Sequence, residues 1–241
     1  MTGMARALAI VHQRDAGPGV FAEAASARGV ALETWHPAEG EPAPADPTAY
    51  GAVLTFGGAM HADQAQAHQW LRIEKDLLAG LLDAGTPLLG VCLGSQLLAE
   101  AGGGTARRAS EPEIGWSEIE LTPEGRDDPL LGPLAPRFEA FQWHSYEAAA
   151  PLGAVELARS PVCLQAYRLA DRAWGIQFHA EVSGDDAASW IADYRSDEDA
   201  VRIGLDPIAL ARETAAKIGD WNAVGLGICD RFLDVAYSGV R

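Results

Sequence analysis

The stretch Thr86 to Glu100, TPLLGVCLGSQLLAE, constrains this chain more than any other. The short apolar run Leu88 to Val91 predicts a buried parallel strand, and the Leu/Ala-rich residues from Leu93 onward predict a helix, so Cys92 falls on the turn between them. Gly90 and Gly94 stand two residues before and after it, the spacing of a G-x-S-x-G elbow, in which glycines permit a sharp turn that pushes a nucleophile out of the backbone. The helix then aims free N–H groups and its positive dipole end at the sulfur, which favours thiolate. A single Cys between a strand and a helix is also an ordinary small buried side chain, so the turn alone leaves both readings open.

The segments around it alternate strand and helix. Arg6 to His12 reads as a strand, Val20 to Arg28 as an Ala-rich helix ended by Gly29, and Val30 to Trp35 as a second strand: a βαβ opening. Pro37 to Tyr50, rich in Pro, Ala and acidic residues, reads as an exposed loop. Ala52 to Phe56 is a third strand, stopping at Gly57-Gly58-Ala59-Met60, where a glycine pair lets the backbone approach a ligand or make an ordinary tight turn. Ala62 to Ala84 carries apolar residues at helical spacing, from Trp70 to Leu82. This order predicts an α/β fold with a doubly wound, mostly parallel central sheet, flanking helices, and a site at the carboxyl edge where Cys92 and Gly57-Gly58 meet.

Beyond Gly115 the character changes. Trp116 to Leu121, Phe138 to Trp143, Val155 to Ser160, Cys163 to Leu169 and Ala173 to Phe178 read as short strands that extend the sheet in antiparallel or mixed fashion. From Gly184 helices return over Ala187 to Tyr194, Pro207 to Ile218 and Trp221 to Ala236, with apolar stripes, Trp190 among them, that suit packing. A length of 241 residues fits one domain, with a core over about 5–183 and a helical extension over about 184–241.

Composition narrows the partners. The 18 basic and 34 acidic residues leave a formal charge of −16, which argues against nucleic acid or an anionic membrane. Cys92, Cys163 and Cys229 are far apart and odd in number, so neither a disulfide framework nor a zinc site is expected, and a reducing cytoplasm fits. No stretch nears the roughly 20 apolar residues of a membrane span, and the run Met1 to Val11 lacks the features of an export signal.

Gly175-Ile176-Gln177-Phe178-His179-Ala180-Glu181 supplies what a Cys nucleophile needs. Period-two alternation puts His179 and Glu181 on one side of an extended segment, so the carboxylate can orient an imidazole facing the sulfur. A Cys92–His179–Glu181 triad follows, with His179 as base and acid and Glu181 fixing its tautomer. His12, His36, His61 and His68 have no carboxylate at ligand spacing and receive no role.

With Gly-Val-Cys-Leu-Gly-Ser-Gln upstream of Gly-Ile-Gln-Phe-His-Ala-Glu, the sequence resembles the class I (triad) glutamine amidotransferases, particularly stand-alone members similar to the amidotransferase domain of GMP synthase, over roughly residues 5–183. The resemblance implies a flavodoxin-like fold and no cofactor or metal. It implies that the backbone N–H groups of Gly58 and Leu93 form an oxyanion hole, and that Gln96, Gly57, Trp143, His144 and Ser145 contact substrate. Glu113-Ile114-Gly115-Trp116 resembles a segment lining the glutamine pocket.

Two departures stand out. Ser145-Tyr146 replaces the Gly-Asp of a W-H-G-D loop, removing the carboxylate expected at the substrate α-ammonium unless Glu147 supplies it, and Ala180 replaces a proline. The expected reaction is hydrolysis of the glutamine side-chain amide through a γ-glutamyl thioester. The chain holds no phosphate loop, so either a separate synthetase subunit accepts the ammonia or nothing does. The alternatives are a γ-glutamyl peptidase or hydrolase using the same triad, motivated by the altered loop, and a catalytically silent binding or regulatory module.

Overall fold

The computed structural model describes residues 5–238, so Met1 to Met4 of the N-terminal run and the last three residues lie outside it. The elements, in chain order, begin with β1 (Arg6–Ile10), α1 (Gly19–Ala27), β2 (Ala31–Trp35), β3 (Ala52–Thr55), α2 (Trp70–Asp83), β4 (Leu88–Val91) and α3 (Leu93–Ala101). Next come β5 (Thr105–Leu121), α4 (Pro123–Arg126), β6 (Arg137–Ala149), β7 (Val155–Arg159), β8 (Leu164–Leu169) and β9 (Ala173–Ile176). The chain closes with α5 (Gly184–Ala192), α6 (Glu198–Arg202) and α7 (Pro207–Tyr237).

The nine strands among the described residues form one sheet in the order β2-β1-β3-β4-β9-β8-β7-β5-β6. The first five are parallel, because each crossover among β1 to β4 carries a helix or a long connection. The rest are antiparallel, with hairpin-length connections between β7 and β8 and between β8 and β9. β3, β4 and β9 are buried along their whole length, as continuous apolar runs require when helices cover both faces. One core, with Phe21, Trp221 and Phe232, lies beneath α1 and α7. The other, with Leu71, Leu78, Leu93 and Leu97, lies beneath α2 and α3.

The structure corrects three local expectations. The helix expected from Ala62 begins only at Trp70, because residues 61–69 turn on themselves, with Gln64 accepting from Ala67 and His68, and thereby leave Met60 and His61 at the carboxyl edge. The two helices expected over Pro207 to Ile218 and Trp221 to Ala236 are one 31-residue helix. Gly219 costs that helix about 1 kcal/mol in propensity, which the burial of Trp221, Ile228 and Phe232 outweighs. The segment Trp143 to Glu147, expected as a loop, is strand: β6 runs on to Ala149, pairing His144 with Glu113 and Tyr146 with Arg108. Finally, α6 went unforeseen because it is only five residues long and highly charged; the Asp197 side chain caps it.

Candidate active site

β1, β3, β4 and β9 end side by side, so the parallel sheet delivers His12, Gly57-Gly58, Cys92 and the 177–182 segment to one edge. Cys92 has φ 52° and ψ −109°, one of two non-glycine residues with positive φ among those described. A non-glycine residue held there stores strain, which persists because the surroundings fix it. Cys92 N–H donates to the Ile176 carbonyl and Gly94 N–H to the Phe56 carbonyl, pinning the turn from both sides. The flanking glycines are needed for close approach: a Cβ on Gly90 would sit 2.6 Å from the Gly94 oxygen, and one on Gly94 2.2 Å from the Thr55 oxygen. The strain therefore sits on Cys92 itself, while the glycines let β3, β4 and α3 touch.

His179 lies just past β9, its N–H bonded to the Phe141 carbonyl and its own carbonyl accepting from Trp221 Nε1. Its Nδ1 is 2.8 Å from Glu181 Oε1, and the pair is 2 % and 1 % exposed. Trp190 from α5 packs edge-on against the ring at 4.8 Å. Burial disfavours the imidazolium, but the Glu181 carboxylate and Cys92 outweigh it and raise the His179 pKa well above its ordinary value. With Nδ1 committed to Glu181, Nε2 is the nitrogen left for the sulfur.

Gly57 packs against both Cys92 and His179. A Cβ there would meet His179 Cε1 at 3.1 Å and Cys92 Cβ at 3.7 Å. Among the described residues no carbonyl accepts the N–H of Gly58 or Leu93. Both residues line a cavity of about 620 Å³ together with Cys92, His179, Gln96, Trp143, His144 and Ser145. Gly57 does not line it, since its carbonyl turns away to His12 Nδ1 at 3.1 Å.

Gln96 is buried rather than on a helix surface, and its Nε2 donates to the Tyr146 carbonyl and Gln177 Oε1 at 3.2 Å each. Trp143 Nε1 donates to Asp197 at 2.9 Å. Tyr146 stacks on His61 with centroids 4.0 Å apart, and its hydroxyl donates to Asp63. Glu147 does not fill the role left by the altered loop: it pairs with Arg107 at 3.0 Å and lies off the cavity. The carboxylates at the cavity come instead from Asp15 and from Asp193 to Asp199 of the C-terminal extension. Burial pushes the Asp199 carboxyl up, but bonds from Ser145, Arg202 and Arg108 bring it down to about 2.

Glu113 to Trp116 do not line the cavity. Glu113 is a hub behind it, where Oε2 accepts from Gln165 at 2.7 Å and Ser160 at 3.0 Å, with Cys163 Sγ at 3.4 Å and His144 Nε2 at 3.3 Å. The Glu113, His144 and Cys163 ligand atoms lie within 4.8 Å of one another. Burial and the Glu113 charge push the Cys163 thiol far up, and its Sγ donates to the Glu113 carboxylate. The hub fixes His144, whose Nδ1 is 3.0 Å from the Tyr146 carbonyl.

Sequence reasoning missed Trp190, Asp197, Asp199 and the buried His12–Glu74 pair. Trp190 reads as a packing residue because its helix is amphipathic, and Asp197 and Asp199 carry no motif that marks them. His12 and Glu74 stand 62 positions apart, so no local signal joins them.

The family profile described as Glutamine amidotransferase class-I matches residues 22–193. A glutamine-hydrolyzing GMP synthase subunit of Halobacterium salinarum is 35% identical over 143 residues, covering 58% of this chain and 70% of the relative. A gamma-glutamyl-L-1-hydroxyisopropylamide hydrolase of a Pseudomonas species is 32% identical over 152 residues, 59% of this chain and about half (51%) of the relative. The crystal structure of a glutamine amidotransferase from Thermotoga maritima superposes with a TM-score of 0.85 at 25% identity, over 97% of this chain and 98% of that one. With the profile spanning well over half of its length, the chain belongs to the class I glutamine amidotransferase family.

Proposed function

We propose that this protein hydrolyses γ-glutamyl amides, with L-glutamine as the primary substrate, through a Cys92–His179–Glu181 triad. The observation that carries the reading is His179 held by Glu181 at 2.8 Å beside a strained Cys92 at the head of a helix. The Cys92 thiolate attacks the side-chain carbonyl, and the oxyanion is met by the N–H groups of Gly58 and Leu93. As the tetrahedral adduct collapses, the C–N bond breaks and the His179 imidazolium gives its proton to departing ammonia. A γ-glutamyl thioester remains on Cys92. His179, now neutral, takes a proton from water, whose oxygen attacks the thioester; the C–S bond breaks and glutamate leaves with the thiolate restored. Cys92, His179 and Glu181 are the catalytic residues, and Gln96, Trp143, His144 and Ser145 shape the γ-glutamyl site.

The 620 Å³ cavity and the Tyr146–His61 stack at its side favour a second reading, in which the leaving group is an amine larger than ammonia. The relative named as a γ-glutamyl amide hydrolase supports that reading. For the glutaminase reading, the ammonia acceptor is a separate synthetase subunit. Relatives named as subunits of GMP synthase and of imidazole glycerol phosphate synthase support it. Three free, buried cysteines suit a reducing cytoplasm. Among the described residues no helix is long and apolar enough to cross a membrane.

Steady-state kinetics on L-glutamine and on a set of γ-glutamyl amines and dipeptides tests the assignment. Ammonia release from glutamine with kcat/KM at or above the best amide supports the primary reading. A peptide or amine preferred by more than about tenfold, 1.4 kcal/mol in transition-state binding, replaces it with the second. Turnover of none of them, even with a synthetase subunit present, refutes both.

A further inference from the structure

His12 and Glu74 form a buried ionisable pair that the reaction above does not use. His12 is 4 % exposed and Glu74 is fully buried. Glu74 Oε2 lies 2.7 Å from His12 Nε2, and its Oε1 accepts from the Thr55 hydroxyl at 2.6 Å. Trp70, on the same helix as Glu74, stacks on the imidazole at 5.0 Å and 20°. Parallel pairing of β1 with β3 places this assembly directly behind the glycine turn, because Ile10 and Thr55 are in register and both chains turn out of the sheet just beyond.

The other imidazole nitrogen, Nδ1, is 3.1 Å from the Gly57 carbonyl oxygen. That oxygen can only accept, so Nδ1 carries the proton and the Gly57 C=O points at His12. The peptide unit between Gly57 and Gly58 is planar, with its C=O and N–H on opposite sides. Fixing the carbonyl toward His12 therefore fixes the Gly58 N–H in the opposite direction, into the cavity that Gly58 shares with Cys92. Hydrogen bonding to the carbonyl also polarises the unit and strengthens its N–H as a donor. A side chain on Gly58 would disturb this seat, since a Cβ would lie 3.0 Å from His12 Cβ and 3.4 Å from Leu93 Cδ2.

We infer that His12, held by Glu74 and Thr55, is the positioning residue of the oxyanion hole, orienting and polarising the Gly57–Gly58 peptide for the transition state. This rests on the assignment of Cys92 as nucleophile and of Gly58 N–H as oxyanion donor. Burial lowers the His12 pKa, but the Glu74 carboxylate and the carbonyls of Gly57 and Phe56 outweigh it, and the net shift is upward.

Two conservative variants separate positioning from packing. The amide nitrogen of Asn occupies the place of Nδ1, so His12→Asn keeps the bond to Gly57 and loses Glu74. The amide nitrogen of Gln occupies the place of Nε2, so His12→Gln keeps Glu74 and loses Gly57. A residue that only stabilised the fold would make the Gln variant both the more stable and the more active.

The inference predicts opposite orders: His12→Gln melts higher, while His12→Asn turns over faster. Against wild type, kcat for L-glutamine, or for the best γ-glutamyl amide of the set, falls roughly 10- to 100-fold in His12→Gln with KM within threefold. Alkylation of Cys92 by iodoacetamide, a displacement that creates no oxyanion, stays within about threefold of wild type in both. Equal kcat in wild type and His12→Gln, or alkylation that falls in step with turnover, overturns the inference. Wild-type turnover that survives Cys92→Ala overturns instead the triad assignment on which it rests.

Discussion

Glu181→Gln changes one charge at nearly constant shape, in a place where the charge has one partner. Glu181 Oε1 accepts a hydrogen bond from His179 Nδ1 at 2.8 Å, while Oε2 is buried with no hydrogen-bond partner among the described residues. The backbone there is pinned by the bond from Val20 N–H to the Glu181 carbonyl and by Gly19, whose Cβ would fall 2.0 Å from that oxygen, so the substitution does not shift the chain. The new amide has two placements. With its oxygen toward Nδ1 the tautomer survives, but the imidazolium formed during attack loses its counter-charge in a site 1–2 % exposed. With its nitrogen toward Nδ1 the ring proton moves to Nε2, which then cannot accept from the thiol.

Either placement removes transition-state stabilisation of about 3 to 5 kcal/mol, a 10²- to 10⁴-fold loss of kcat at 1.36 kcal/mol per decade. The assay is ammonia or amine release by wild type and variant at pH 7.5, with the His179 ring titration followed by NMR. Because an anion beside a cation favours the charged form, its removal must shift that titration to lower pH. A variant with kcat within threefold of wild type, or an unmoved His179 titration, refutes the role given to Glu181.

Further outcomes follow from particular contacts. Gly94→Ala places a Cβ against the Thr55 backbone, and thermal melting is expected to show a loss of about 1 to 3 kcal/mol together with reduced alkylation of Cys92. Cys163→Ser keeps a donor toward Glu113 and should leave both melting temperature and kcat near wild type, whereas Glu113→Ala strands His144, Ser160 and Gln165 and should lower the melting temperature and raise KM. Asp199→Asn probes the pairs with Arg108 and Arg202. The Asp199 pKa is depressed to about 2, so its contribution to stability is full above the unfolded value near 4 and is lost as pH falls toward 2. Melting temperatures of wild type and Asp199→Asn should therefore differ at pH 6 and converge only as pH falls to about 2.

Much of this site was legible in the sequence because its chemistry is local. Cys92 sits in a strand–turn–helix whose apolar run, glycines and Leu/Ala periodicity lie within fifteen residues, and His179 and Glu181 are two residues apart on extended chain. The parallel half of the sheet was readable for the same reason, each strand being followed by its own turn. What remained hidden depends on contacts between distant segments. His12 meets Glu74 only after β1, β3 and α2 have packed, and Glu147 turns to Arg107 only because β5 and β6 pair as far as Ala149. The reach of α5 and α6 to the cavity, with Trp190 on His179 and Asp197 on Trp143, follows from the path of the chain after β9 and has no signature in composition. The helix that failed to start at Ala62 is a further case in which the cavity wall, formed by Met60 and His61, overrides local propensity.

The central claim is that Cys92 carries the γ-glutamyl group between two half-reactions. Rapid acid quench of the protein during turnover of L-glutamine, followed by proteolysis and mass spectrometry, tests it directly. The account predicts a γ-glutamyl adduct on the peptide containing Cys92, formed at least as fast as steady-state turnover and absent from Cys92→Ala, which releases no ammonia. Undiminished turnover by Cys92→Ala, or an adduct on any other residue, would contradict it.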